Sequence, residues 1–285
     1  MDPLTRVGVV GCGLMGAGIA EVCARAGLPV VVVESTTERA DAGLARLTSS
    51  LRRAADKGRI EDADEVLTRL RVVTDLAELA DRDLVVEAIV EDEAAKTDLF
   101  RQLDDLVTAP DAVLASNTSS IPITRLAGVT GRPAQVIGIH FFNPVPVLSL
   151  VELVPGLLTS QETLERARAF VQDRLGKHAV ECQDRAGFVV NALLVSYILS
   201  AIRMHESGFA SAADIDEAMV RGAAHPMGPL ALADLIGLDT TQAIAASLFE
   251  EFKEPLHAPP PLLSRMVSAG LLGRKSGRGF HTYSD

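Results

Sequence analysis

Short β-branched runs alternate with amphipathic stretches over roughly the first two-thirds of the chain, and then the runs stop. RVGVV (6–10), LPVVVVE (28–34), DLVVEAI (83–89), AVLAS (112–116) and AQVIGIH (134–140) are continuous apolar runs with the length of buried strands. Between them, AGIAEVCARAG (17–27), residues 37–58 with Leu44, Leu47 and Leu51 on one side, and DEAAKTDLFRQLDDLV (92–107) carry the helical period. Such alternation predicts a mostly parallel sheet with helical crossovers. RVVT (71–74) predicts a further, hairpin-like strand. After AQVIGIH, the last candidate for a parallel strand, the chain is expected to turn back through Asn143-Pro144-Val145-Pro146. That turn would lay LSLVELV (148–154) beside it. Thr159-Ser160-Gln161-Glu162 offers a capping-box start to a helix running to Leu175, and GKHAVECQD (176–184) reads as a last strand.

At Arg185-Ala186-Gly187 the pattern changes. GFVVNALLVSYILSAIRMHESG, SAADIDEAMVRGA, GPLALADLIGLDTTQAIAASLFEEF and LLSRMVSAG read as four or more helices punctuated by Gly and Pro. The expected organisation is an α/β domain over 1–185 and an all-α domain over 186–285. The most apolar stretch, Phe188 to Ile202, contains Asn191 and falls short of the roughly 18–20 residues of a membrane span, so a buried helix is expected.

Composition narrows the partners. A net charge of −11 argues against a nucleic-acid surface or an anionic membrane as the main partner, while leaving room for a local basic patch facing a phosphorylated ligand. Cys12, Cys23 and Cys182 are an odd, widely spaced set without a CxxC, as in a reduced, cytoplasmic protein, and no metal-ligand cluster stands out. The first residues lack a charged leader and a long apolar core, so no signal peptide is expected.

Candidate chemistry sits at the ends of the strands. RVGVV leads into Gly11-Cys12-Gly13-Leu14-Met15-Gly16 and then a helix, the context that turns a GxGxxG into a dinucleotide fingerprint rather than a plain turn. Gly11 permits the tight turn, Gly13 lets a pyrophosphate approach the backbone and Gly16 lets helix and strand pack. Gly11, Gly13, Leu14, Met15 and Gly16 are therefore the candidate cofactor loop, with the Cys12 and Met15 side chains read as packing. Glu34 closes the second strand, where an acid accepts the adenosine ribose hydroxyls or merely caps the next helix. Ser35-Thr36-Thr37 supplies no arginine for a 2′-phosphate, which favours NAD over NADP. Arg39, Arg46, Arg52, Arg53 and Lys57 make the following helix basic, a solvated face more readily than a second phosphate site. Glu87, Glu91 and Lys96 come at the end of the DLVVEAI strand, either where an open α/β sheet binds ligands or as an ordinary charged helix start, and Ser116-Asn117-Thr118-Ser119-Ser120 ends the next strand as either a helix cap or a hydrogen-bonding cradle. His140 ends AQVIGIH; with Glu152 in the neighbouring run it would make a general base with an orienting carboxylate, the alternative being an ordinary surface or core pair.

Taken in order, GCGLMGAGIA, VVEAIVEDEAAK, SNTSSI, HFFNPVPVLSLVELV, GFVVN, HPMGPLALADLIGLDT and LLGRKSGRGF resemble the short-chain L-3-hydroxyacyl-CoA dehydrogenases over essentially the whole chain, and most closely the bacterial 3-hydroxybutyryl-CoA dehydrogenases. The resemblance implies an NAD-binding Rossmann domain followed by a helical domain that forms a homodimer, with the acyl-CoA substrate held in the cleft between domains. It implies His140 as general base, Glu152 as its partner, Ser119 and Asn191 as substrate contacts, and Glu34, Glu91, Lys96 and Asn143 as cofactor contacts. Two departures stand out. Ala192 follows GFVVN where the family usually has arginine, and PLHAPPP stands where a tyrosine-arginine pair commonly precedes the prolines. Both bear on the acyl group and its carrier, so a carrier-protein thioester is the alternative substrate. A nucleotide-binding protein without chemistry is the alternative of a different class, and it gives no reason for His140, Glu152, Ser119 and Asn191 to occur together.

Overall fold

The computed structural model describes residues 3–283. The chain divides into two compact units, with the break between Asp184 and Arg185. The first unit is built on strands β1 (Val7–Val10), β2 (Val30–Val33), β3 (Leu70–Val73), β4 (Leu84–Glu87), β5 (Val113–Ser116), β6 (Val136–Phe141), β7 (Leu150–Pro155) and β8 (His178–Glu181). They form one sheet in the order β3-β2-β1-β4-β5-β6-β7-β8, parallel from β3 to β6. β7 then runs antiparallel to β6, and β8 parallel to β7. Helices α1 (Leu14–Arg25), α2 (Thr37–Asp56), α3 (Ala63–Leu67), α4 (Glu93–Leu106), α5 (Ile123–Ala127) and α6 (Gln161–Ala169) connect them.

Val7, Val9, Val32, Val86, Ile137 and Leu153 join Ile19, Leu47, Leu51 and Leu164 in one core. The alternate strand residues Val31, Val85 and Leu114 are buried as well. Both sides of the sheet are therefore covered, which is why its strands read as unbroken apolar runs. Because β1 lies between β2 and β4, the strand order reverses beside it, and the carboxyl ends of these strands are the place where such sheets bind ligands.

Three local expectations are corrected. RVVT belongs to β3, which pairs in parallel with β2 at the sheet edge and forms no hairpin. The helix expected over 37–58 ends at Asp56, and the one expected to reach Leu175 leaves regular α geometry at Phe170 for a wider turn over Phe170–Arg174.

The second unit holds α7 (Val190–Glu206), α8 (Ala212–Gly222), α9 (Pro229–Ile236), α10 (Leu238–Phe252) and α11 (Pro261–Ser268). The segment read as one helix from Gly228 divides at Gly237, whose φ of 102° ends α9 and starts α10. Ile198, Leu199, Leu230, Ala233, Leu248 and Leu263 form its core. The Asp234 carboxylate accepts from Phe280 N, His281 N and the Tyr283 hydroxyl, each at 2.9 Å, and so ties the C-terminal segment to α9. Among the described residues no helix is long and apolar enough to cross a membrane.

Candidate active site

The glycine loop joins β1 to α1 with each glycine in a different role. Gly11 takes φ 93°, closed to side chains, and a Cβ on Gly16 would lie 1.9 Å from Gly11 O, so helix and loop touch there. A Cβ on Gly13 would meet nothing within 4 Å. Gly13 caps α1 without a side-chain hydrogen bond, and the first turn of α1 holds no acid. An open approach to an uncapped, positively polarised helix end fits a pyrophosphate. Gly13 and Leu14 are exposed above it, and the half-buried Met15 packs on the core.

Glu34 Oε1 accepts from Cys12 N at 2.6 Å and its Oε2 from Ser35 N at 3.2 Å, which holds the carboxylate against the loop at the carboxyl end of β2. Arg46 of α2 donates to Cys12 O at 2.6 Å, and Arg39 reaches Ser35 Oγ at 3.3 Å. Two residues of the basic helix thus bond Cys12 and Ser35, the residues whose backbone N–H groups Glu34 holds, and the Arg46 contact, across thirty-four residues, is one that the composition of that helix did not disclose. Cys12 itself is 1 % exposed, and burial, reinforced by the Glu34 charge and partly offset by Arg46, pushes its thiol up to about 11; it packs and does not react.

At the end of β4 lies an ionic cluster in which Glu87 and Lys96 are buried and Glu91 is exposed. Lys96, in the first turns of α4, has its ammonium on Glu87 and 3.3 Å from Glu91 Oε2. Glu87 also accepts from Ser116 Oγ at 2.6 Å and Ile89 N at 2.7 Å, so this fully buried ion is paired on every side. Glu91 Oε1 accepts from Thr118 Oγ1 (2.6 Å), Ser119 N (2.9 Å), Ser120 N (3.1 Å) and Ser120 Oγ (2.9 Å). Burial acts to raise the Glu91 carboxyl, yet Lys96 and these donors hold it below its ordinary value. Ser119 Oγ lies 3.4 Å from the same oxygen, a long contact that leaves the hydroxyl easily redirected. Of the two readings of SNTSS, the cradle describes this loop: its donors converge on Glu91.

His140 and Glu152 face each other directly in the antiparallel pair of β6 and β7, with Nδ1 and Oε2 2.7 Å apart. Glu152 is 0 % exposed and His140 6 %, and the Phe142 ring meets the imidazole edge-on at 4.6 Å. The Asn143–Pro144 peptide is cis within the turn between the strands. Asn191 stands in the first turn of α7, in the second unit, half-buried.

Asp184 escaped sequence reasoning, and for Glu87 and Asn117, named as strand-end candidates, the partners did. Glu87 is the counter-ion of Lys96. Asn117 accepts from Phe141 N through Oδ1 at 2.8 Å. Asp184 accepts from Ile123 N, Thr124 N and Thr124 Oγ1 at the start of α5. An acid closing a fully apolar strand was the one available signal, and it marks Glu87 alone.

A family model described as "3-hydroxyacyl-CoA dehydrogenase, NAD binding domain" matches residues 6–185, and "3-hydroxyacyl-CoA dehydrogenase, C-terminal domain" matches 187–283. A 3-hydroxybutyryl-CoA dehydrogenase of Mycobacterium tuberculosis is 58% identical over 284 residues, 99% of each chain. The human mitochondrial hydroxyacyl-coenzyme A dehydrogenase is 44% identical, covering 98% of this chain and 91% of its own. Among solved structures, M. tuberculosis FadB2 superposes with a TM-score of 0.98 at 58% identity, covering 99% of this chain and all (100%) of its own. The (S)-3-hydroxybutyryl-CoA dehydrogenase PaaH1 of Ralstonia eutropha does so with 0.94 at 44%, covering 99% and 100%. With the two family models together matching residues 6–185 and 187–283, the first of them an NAD-binding domain, the chain belongs to the 3-hydroxyacyl-CoA dehydrogenase family.

Proposed function

We propose that this protein oxidises the 3-hydroxyl of a short-chain L-3-hydroxyacyl-CoA, 3-hydroxybutyryl-CoA foremost, to the 3-oxoacyl-CoA with NAD, and runs the reverse reaction. The observation that carries this reading is the buried His140–Glu152 pair, 2.7 Å between Nδ1 and Oε2, on the same sheet as a loop shaped for a dinucleotide. When bound, NAD takes up the hydride released from the carbinol carbon. His140, its Nδ1 engaged by Glu152, accepts the hydroxyl proton at Nε2, and Glu152 stabilises the imidazolium that results. In reduction the imidazolium returns that proton to the developing alkoxide. Ser119 donates to a substrate oxygen by turning its hydroxyl away from the long Glu91 contact, and Asn191 is assigned a second substrate hydrogen bond. Gly11, Gly13, Leu14, Met15 and Gly16 cradle the pyrophosphate, Glu34 takes the adenosine ribose, and Asn143 contacts the cofactor. Glu91 and Lys96 shape the cofactor side of the Ser119 loop. The chain acts as a homodimer through the helical unit, where Leu193 (71 %) and Phe209 (78 %) are exposed. A cytoplasmic location goes with three free cysteines.

Incubating the protein with NAD and L-3-hydroxybutyryl-CoA is expected to generate NADH absorbance, with little from the D-isomer. A panel of longer acyl-CoA esters and one carrier-protein thioester ranks the substrates. Binding of NAD without turnover of any short 3-hydroxyacyl thioester would overturn the assignment in favour of a non-catalytic nucleotide-binding protein.

A further inference from the structure

β6 outruns its parallel neighbour. Ser116, the last residue of β5, pairs with Gly138, and Ile139, His140 and Phe141 lie beyond it. On the β7 side the ladder continues to the tip, with His140 opposite Glu152 and Phe141 opposite Val151. On the β5 side a side chain replaces the missing strand: Phe141 N donates to Asn117 Oδ1 at 2.8 Å. Asn117 is itself anchored, its backbone N–H donating to Glu87 O at 2.9 Å. It is also two residues before Ser119, in the loop whose next three residues Glu91 gathers.

We propose that Asn117 is a positioning residue for the reaction. Its carboxamide completes the ladder beside the residue that follows His140, and so ties the strand tip carrying the base to the loop carrying Ser119. Without it the tip would be held from the β7 side alone, and the separation of imidazole and serine hydroxyl would be set by packing. This role rests on His140 and Ser119 acting as assigned above. Orientation of this kind is expensive to lose: a displacement of about 1 Å at reacting groups costs on the order of 100-fold in rate.

The test compares wild type with Asn117→Leu, close in size but without an acceptor, and Asn117→Asp, which keeps an oxygen for the Phe141 N–H. The readouts are steady-state kinetics with L-3-hydroxybutyryl-CoA and calorimetric titration with NAD, whose stoichiometry counts folded sites. The Leu variant is expected to lose about 100-fold in kcat per NAD-binding site, with its NAD affinity within about threefold of wild type, and the Asp variant to recover to within about tenfold. Should the Leu protein fail to bind NAD stoichiometrically, Asn117→Ala, equally without an acceptor, takes its place. A variant lacking the acceptor that turns over within about threefold of wild type per site, or an Asp variant as impaired as the Leu one, overturns the proposal. Absence of turnover in the wild type would instead sink the assigned activity, and this role with it.

Discussion

Replacing Glu152 by glutamine separates the charge of the buried carboxylate from its shape. Glu152 is 0 % exposed, with Oε2 2.7 Å from His140 Nδ1, and glutamine fills nearly the same space. Turned with its amide oxygen toward Nδ1, it still accepts the ring N–H and keeps the imidazole oriented. What is lost is the charge assistance that arises once the ring takes a proton. A hydrogen bond to a charged group contributes roughly 1.5–3 kcal/mol against about 1 kcal/mol for a neutral one, and burial places the loss toward the upper part of the difference, about 1.4–2 kcal/mol. At about 1.4 kcal/mol per decade this predicts a fall of about 10- to 30-fold in rate. Because the protonated ring exists only once proton transfer begins, the loss falls on kcat and leaves NAD affinity unchanged. Single-turnover NADH formation at saturating NAD and L-3-hydroxybutyryl-CoA isolates this step from product release. A rate within about twofold of wild type would refute the reasoning; a loss near 10⁴-fold, on the scale seen when an orienting carboxamide enforces the wrong histidine tautomer, would show that Glu152 acts by orientation instead of charge.

Gly13→Ala adds a methyl group with nothing within 4 Å at a φ of −65°, so it is expected to leave thermal stability unchanged while weakening NAD binding by about tenfold or more. Calorimetric titration checks it, and unaltered NAD affinity would remove the pyrophosphate from this loop. Glu34→Ala is expected to weaken NAD binding and to improve NADP binding, since Arg39 and Arg46 lie beside the vacated position; titration with both cofactors would show an unchanged preference if Glu34 serves only to brace Cys12. At the start of β4, burial would raise the Asp83 carboxyl, but Arg6 and Thr5 donate to it and hold it down at about 2 against an ordinary 3.8. A carboxyl depressed in the folded state stabilises fully above its unfolded value, and that stability is lost as pH falls through the folded value. Asp83→Asn should therefore cost about 1–2 kcal/mol at neutral pH and progressively less from about pH 4 toward pH 2, which urea unfolding across that range measures.

How far the site could be read before the structure depends on the kind of contact that builds each part. Gly11 and Gly16 announce themselves because only glycine tolerates a φ of 93° or a Cβ position 1.9 Å from a carbonyl, and such demands are met by residue type at a fixed spacing. His140 and Glu152 were legible because a turn between two apolar runs implies antiparallel neighbours, and the twelve-residue separation happens to bring them directly opposite. RVVT was misread because strand partners are chosen by crossovers through the whole sheet: β3 closes the edge through a parallel pairing with β2, and its polar Arg71 and half-buried Val72 and Val73 mark an edge without saying which strand lies next to it. The ionic cluster and Asn117 lay further out of reach. Lys96 meets Glu87 across nine residues and Asn117 meets Phe141 across twenty-four, each through a side chain whose partner depends on where two strands end relative to each other. His140 and Glu152 follow from chemistry at strand ends, which alternation predicts, whereas the substrate roles of Ser119 and of Asn191, on a helix, rested on the family resemblance. The residues that hold them depend on register, so positioning residues such as Asn117 emerge only when the ladder is laid out and the part of β6 that outruns β5 has to be accounted for.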